Sequence, residues 1–195
     1  MPFIEQVTDE EAAGRAQELL DAERASLGYV QNFTRLFATR PDVFDAWQQL
    51  RTAIAGPMDT RRYELATVAA AAEIRCSYCS LAHGKILAEQ FDGTETVLGL
   101  VSGDGSDALD AADRAVVDLA RKVADEAASV TEDDIDRLRE AGLTDGEIFE
   151  VILAAAARCF FSKVLDAAGV LPDATFRSLE PPELREALTV GRPIA

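Results

Sequence analysis

Residues 66–72, ATVAAAA, carry no charged side chain, and this stretch constrains the chain more than any other. A surface helix shows a single apolar stripe, whereas a helix that is apolar all round must be surrounded. Crossing a bilayer takes about 20 apolar residues, so neither this stretch nor the similar VILAAAA at 151–157 can do so. The remaining place for it is the middle of a helical bundle, where alanine allows close approach of the neighbours.

The rest of the chain agrees with an all-α class. Apolar residues recur at three- and four-residue spacing, and no convincing alternating pattern marks a strand. A helix is expected from a Thr8/Asp9 cap to Gly28, another from Pro41 to Gly56, and a third leading through PMDTRRYELATVAAAAEIR. VSGDGSD, residues 101–107, combines glycines with short polar residues and is expected to link two related helical halves. Beyond it lie a helix near 108–128, a short one opened by Thr131 with Asp134 three residues on, and a long one from Thr144 to Ala168 closed by Gly169. The proline-broken tail is expected to form short pieces.

Sliding the second half by 83 positions lays Glu147 on Glu64, Val151 on Val68, Ala154 on Ala71, Arg158 on Arg75 and Cys159 on Cys76. The expectation is one domain over 1–195 with an internal repeat at about 30–100 and 107–170. At the same offset Ser162 falls on Cys79 and Asp166 on His83. Alanine-rich helices also align easily, and Glu147 equally completes a capping box with Thr144.

Charge excludes some partners. With 35 acidic against 19 basic residues the net charge is −16, which repels nucleic acid and anionic lipid. The start, MPFIEQVTDEEAAGR, lacks a basic segment followed by an apolar one, so no export signal is expected. Three cysteines in 195 residues do not resemble a secreted disulfide framework, and the expected compartment is the cytoplasm.

Two of those cysteines and the only histidine stand in RCSYCSLAH, residues 75–83. On a helix Cys76, Cys79 and His83 share one face. If the first thiol lies near a helix start, the two can close a disulfide, and the helix dipole there favours a thiolate. His83 can take the Cys79 proton, and Glu64 or Glu73 could orient the imidazole. Two alternatives use the same residues: a zinc site, short of a fourth ligand because Cys159 is the only remaining cysteine, and two buried thiols acting as small hydrophobes.

YELATVAAAAEIRCSYCSLAHGKIL resembles the carboxymuconolactone decarboxylase-like superfamily, specifically its AhpD-like, peroxidase-related branch. The mark of that branch is a Glu followed twelve residues later by Cys-x-x-Cys-x-x-x-His, matched by Glu64, Cys76, Cys79 and His83. NFTRLFATRPDVFDAWQQLRTAIAGPMDTRR and KVLDAAGVLPD are similar to its lead-in and closing segments, so the resemblance spans roughly residues 30–173. It implies an oligomeric helical protein, trimeric in AhpD itself, that reduces a hydroperoxide and is recharged by a thiol or lipoyl-type reductant. Cys79 would attack, Cys76 would resolve, and Glu64 with His83 would form the proton relay, with no metal or organic cofactor. Where AhpD has a histidine between its cysteines, this chain has Tyr78. The same dithiol could serve a disulfide reductase or a redox sensor, and the superfamily's lactone decarboxylases lack the cysteine pair.

Overall fold

Asp59 accepts a hydrogen bond from the Arg62 amide at 2.8 Å and so starts helix α4, Thr60–Glu73, around which the rest is assembled. The computed structural model describes residues 2–103 and 109–195, and among these every regular element is helical. Nine consecutive residues of α4, Tyr63 to Ala71, are buried. The alanines at 69–71 let flanking helices approach α4 closely, which explains the charge-free run.

Three helices enclose α4: α5 (Ser77–Leu87), α7 (Ala111–Glu126) and α9 (Asp145–Ala168). α7 presents Val116, Val117, Leu119, Ala120 and Ala124 at helical spacing. Leu65, Leu81, Leu119 and Leu138 are among the fully buried side chains of this core, each contributing about 1.5–3 kcal/mol by its removal from water. α6 (Gly93–Ser102) and α8 (Glu132–Glu140) close its sides, and α10 (Pro182–Leu188) lies across α5 and α6. Contact there is close: a Cβ on Gly84 would meet a Leu188 methyl at 2.4 Å.

A second apolar cluster forms where α1 (Arg15–Leu27), α2 (Asn32–Phe37) and α3 (Pro41–Ala55) meet α5 and α9. It joins Leu36, Phe37, Phe44, Trp47 and Phe161 to Cys76, Tyr78 and Cys79. Cys76 and Cys79 thus belong to this smaller aromatic cluster, whereas Cys159 packs against the aliphatic core.

Most helix limits follow the expected signals, including the capping boxes Thr131/Asp134 and Thr144/Glu147 and the left-handed Gly169. The first helix differs. Thr8 bonds to Glu11 through both its amide and its hydroxyl and closes a single turn. Gly14, at φ 56°, interrupts the chain before α1 begins at Arg15. Of the expected linker, residues 101–102 finish α6 and Gly103 caps it at φ 79°, while 104–107 lie outside the described residues. At the 83-residue offset, the broken pair α4–α5 falls on one uninterrupted helix, α9.

Candidate active site

Between α4 and α5 the chain turns in three residues. Arg75 is the only described non-glycine residue with positive φ, at 58°, and Cys76 is extended as the N-cap of α5. The tail braces this turn: Arg75 Nε donates to the Val190 carbonyl at 3.1 Å and the Gly191 amide donates to Ser77 Oγ at 2.7 Å. Gly191 is required there, because a Cβ would come within 2.0 Å of the Arg75 carbonyl oxygen.

With Cys76 as the cap, Cys79 falls in the first turn of α5, where unpaired amides and the helix dipole favour an anion. Both thiols are free and buried. Their ordinary similarity is broken by their surroundings. Burial pushes the Cys79 thiol up, but the Cys76 S–H, the Arg158 guanidinium, the Ser162 hydroxyl and His83 outweigh it and hold Cys79 well below the usual range. The hydrogen bond to Cys79, then burial, then the nearby charges of Cys79 and Asp166 push Cys76 the other way. The surroundings thus favour the anion at Cys79 and the proton at Cys76.

Arg158 was not singled out as a site residue by sequence. Its Nη1 is 3.3 Å from Cys79 Sγ, and its side chain is fully sequestered in the aromatic cluster, 5.7 Å from the Phe161 ring centre. A lone arginine within the apolar stretch of α9 was the available signal.

Of the two carboxylates considered, the structure brings Glu64 to the histidine: His83 Nδ1 and Glu64 Oε2 are 2.7 Å apart. A carboxylate at Nδ1 keeps the proton on that nitrogen and leaves Nε2 to accept. Glu73 instead lies 3.9 Å from Arg121. Tyr78, at the position of the AhpD histidine, donates its hydroxyl to Asp173 in the closing segment and so joins no bond between His83 and Glu64. Glu147, laid on Glu64 by the offset, closes the α9 capping box and pairs with Arg62 at 2.9 Å. Cys159 is half-buried on α9, and burial raises its thiol.

Cys79, His83 and Arg158 open together on a cavity of about 470 Å³ walled by Phe33, Phe44, Trp47 and Phe161. Cys76 does not line it. No group of three or more His, Cys, Asp or Glu among the described residues is placed to hold a metal ion, and no described helix is long and apolar enough to cross a membrane.

The carboxymuconolactone decarboxylase family matches residues 41–122, which include all four motif residues. Three solved structures have similar folds. A peroxidase-related protein from Ralstonia eutropha JMP134, described as an alkylhydroperoxidase AhpD core, is 22% identical with TM-score 0.77, covering 98% of each chain. A peroxidase-related protein from Silicibacter sp. TM1040 is 21% identical with TM-score 0.74, covering 91% of this chain and 92% of that one. The debrominase Bmp8 in complex with 2,3,4-tribromopyrrole is 16% identical with TM-score 0.72, covering 94% of each chain. No curated protein matches.

Proposed function

Residues 41–122 belong to the carboxymuconolactone decarboxylase family on an AhpD-like fold, and from that premise we propose that the chain is a thiol-dependent hydroperoxide reductase. The observation that carries the reading is the asymmetry of the dithiol. Cys79 stands at the cavity wall 3.3 Å from Arg158, its thiol pulled down by the Cys76 S–H and by that guanidinium, while Cys76 lies behind it, off the cavity, with its thiol pushed up.

In this mechanism the proton that leaves Cys79 is held at His83 Nε2, and Glu64 stabilises the resulting imidazolium. The thiolate attacks the terminal oxygen of the hydroperoxide, the O–O bond breaks, and the departing alkoxide takes the proton from His83 and leaves as the alcohol. Cys79 is then a sulfenic acid. Cys76 attacks it, the disulfide forms and water leaves. An external thiol, dihydrolipoyl or similar, reopens the disulfide and is oxidised in turn. No step calls for a metal or an organic cofactor.

Turnover of an organic hydroperoxide by the purified protein with dihydrolipoamide tests the reading. Activity is expected in the native protein and its loss in Cys79→Ser, and an inactive native protein would refute the proposal. The aromatic walls and volume of the cavity, with the debrominase among the similar folds, favour one second reading. There the dithiol would convert a bromoarene to the arene, bromide, a proton and the disulfide. Bromide release from 2,3,4-tribromopyrrole without hydroperoxide turnover would select it.

A further inference from the structure

α9 crosses behind the cysteine turn with Arg158, Ser162 and Asp166 spaced four apart, hence on one face. Arg158 serves Cys79. Towards Cys76 the helix turns its backbone, the Ser162 carbonyl lying 3.9 Å from Cys76 Sγ, and one turn further along the same face stands Asp166, whose charge bears on that thiol.

Cys76 has to lose a proton to close the disulfide, and its surroundings oppose that loss. His83 is the only imidazole, and it opens on the cavity, tied to Glu64, where Cys76 is absent. Asp166 combines a place on the face of α9 that runs past the Cys76 thiol with a side chain that is 30% exposed, so a proton received there can pass to water. Burial, with a further push from the Cys79 charge, outweighs the hydrogen bond from Cys76 and the charge of Arg192 and holds its carboxyl above the usual carboxylate range, which makes it a better base. The carboxylate is ion-paired with Arg192 of the tail but not hydrogen-bonded to it. Arg192 Nη2 donates to the Asp166 backbone carbonyl at 2.7 Å, whereas Arg192 Nε stands 3.7 Å from the side chain, beyond a hydrogen bond.

We infer that Asp166 takes the proton of Cys76 as that thiol closes the disulfide, an inference that rests on the dithiol chemistry proposed above. The Cys76 S–H bond breaks with its proton going to the carboxylate, and the new S–S bond forms with the electron pair left behind. The group carried by Cys79 departs with the electrons of its own bond to sulfur. From the sulfenic acid this is hydroxide, which becomes water on taking up a proton; from a mixed disulfide it is a thiolate.

The test uses 5,5′-dithiobis(2-nitrobenzoic acid) on the Cys159→Ser protein, so that only the motif cysteines report. Attack by Cys79 releases the first thionitrobenzoate, and displacement by Cys76 releases the second. Asp166→Asn is expected to slow the second release at least about tenfold and to leave the first within about threefold, with Asp166→Glu restoring most of the second rate. An unchanged second release in Asp166→Asn overturns the inference. So does equal slowing of both releases, which would mark a structural role, and so does Asp166→Glu as slow as Asp166→Asn. Because no peroxide is present, a protein that closes its disulfide here yet turns over no hydroperoxide counts against the peroxidase reading alone.

Discussion

Arg158 Nη1 stands 3.3 Å from Cys79 Sγ, with both side chains buried. This pair puts a fixed cation beside one sulfur of two that are three residues apart, which favours that sulfur as the nucleophile in the proposed reaction. An unperturbed thiol, of pKa about 8.5, is only a few per cent ionised at neutral pH. Replacing Arg158 by Leu is expected to cut Cys79 alkylation by iodoacetamide at pH 7 at least about thirtyfold, with the rates converging in strong alkali. Peptide-resolved mass spectrometry reads the rate, and an unchanged rate at pH 7 would leave activation to the Cys76 S–H, the other neighbours and the helix start without Arg158.

The dithiol also gives stability a characteristic pH dependence. Cys79 is depressed, so its contribution is full above the unfolded value of about 8.5 and is lost as pH falls through the lower folded value. Cys76 is raised, so its contribution is full below about 8.5 and is lost as pH rises through the folded value. Urea unfolding of the reduced protein, minus that of the Cys76→Ser/Cys79→Ser double variant, is expected to give a difference that grows from acid to neutral pH and declines in alkali beyond about 8.5. A flat difference would contradict the assignment of one proton to the pair.

His83→Gln is expected to slow peroxide reduction about 100-fold at neutral pH, the usual order for a lost general base, and Glu64→Gln to do likewise. Raising the pH should recover much of the rate in both, because hydroxide replaces the missing base. Rates like the native protein's at pH 7 would remove the imidazole from the mechanism.

Tyr78→Phe keeps the ring against Phe33 and Phe176 but deprives Asp173 of a donor, leaving a buried carboxylate held by the Asn32 amide. The expected cost is about 1–3 kcal/mol in urea unfolding, with Cys79 alkylation within a few-fold of native. A large loss of alkylation without loss of stability would bring Tyr78 into the reaction.

Cys159→Ser is expected to keep hydroperoxide turnover within a few-fold, since Cys159 does not line the cavity and its thiol is raised by burial. A loss as large as that of Cys79→Ser would require a third working thiol.

The helices were legible in the sequence where their signals are local. Pro41 and Thr144 open helices and Gly28 and Gly169 close them through backbone preferences that need no partner. The first helix starts later than its Thr8/Asp9 signal for the same reason, because the Thr8–Glu11 turn satisfies its own hydrogen bonds and then ends. Glu64 and Glu73 are nine residues apart, about half a turn out of phase at 3.6 residues per turn, so they lie on opposite faces of α4. The residue pattern could not choose between them, since a helix buried on nearly every side shows no apolar stripe to orient it. The four-residue spacing of Arg158 and Asp166 puts them on one face of α9, but which cysteine that face meets depends on how α9 is rotated against α5, a tertiary property that the spacing does not carry.

The brace on the cysteine turn joins residues 115 and 114 positions apart, Arg75 to Val190 and Ser77 to Gly191. During synthesis from the N-terminus the motif therefore leaves the ribosome long before the residues that hold its backbone, and Arg75 has to enter a left-handed conformation costing about 1–2 kcal/mol. Until Val190 and Gly191 dock, nothing from the tail fixes the direction of α5 or the place of Cys79 against Arg158. The nascent chain therefore carries the motif on an unbraced turn, and the brace closes only when the tail arrives.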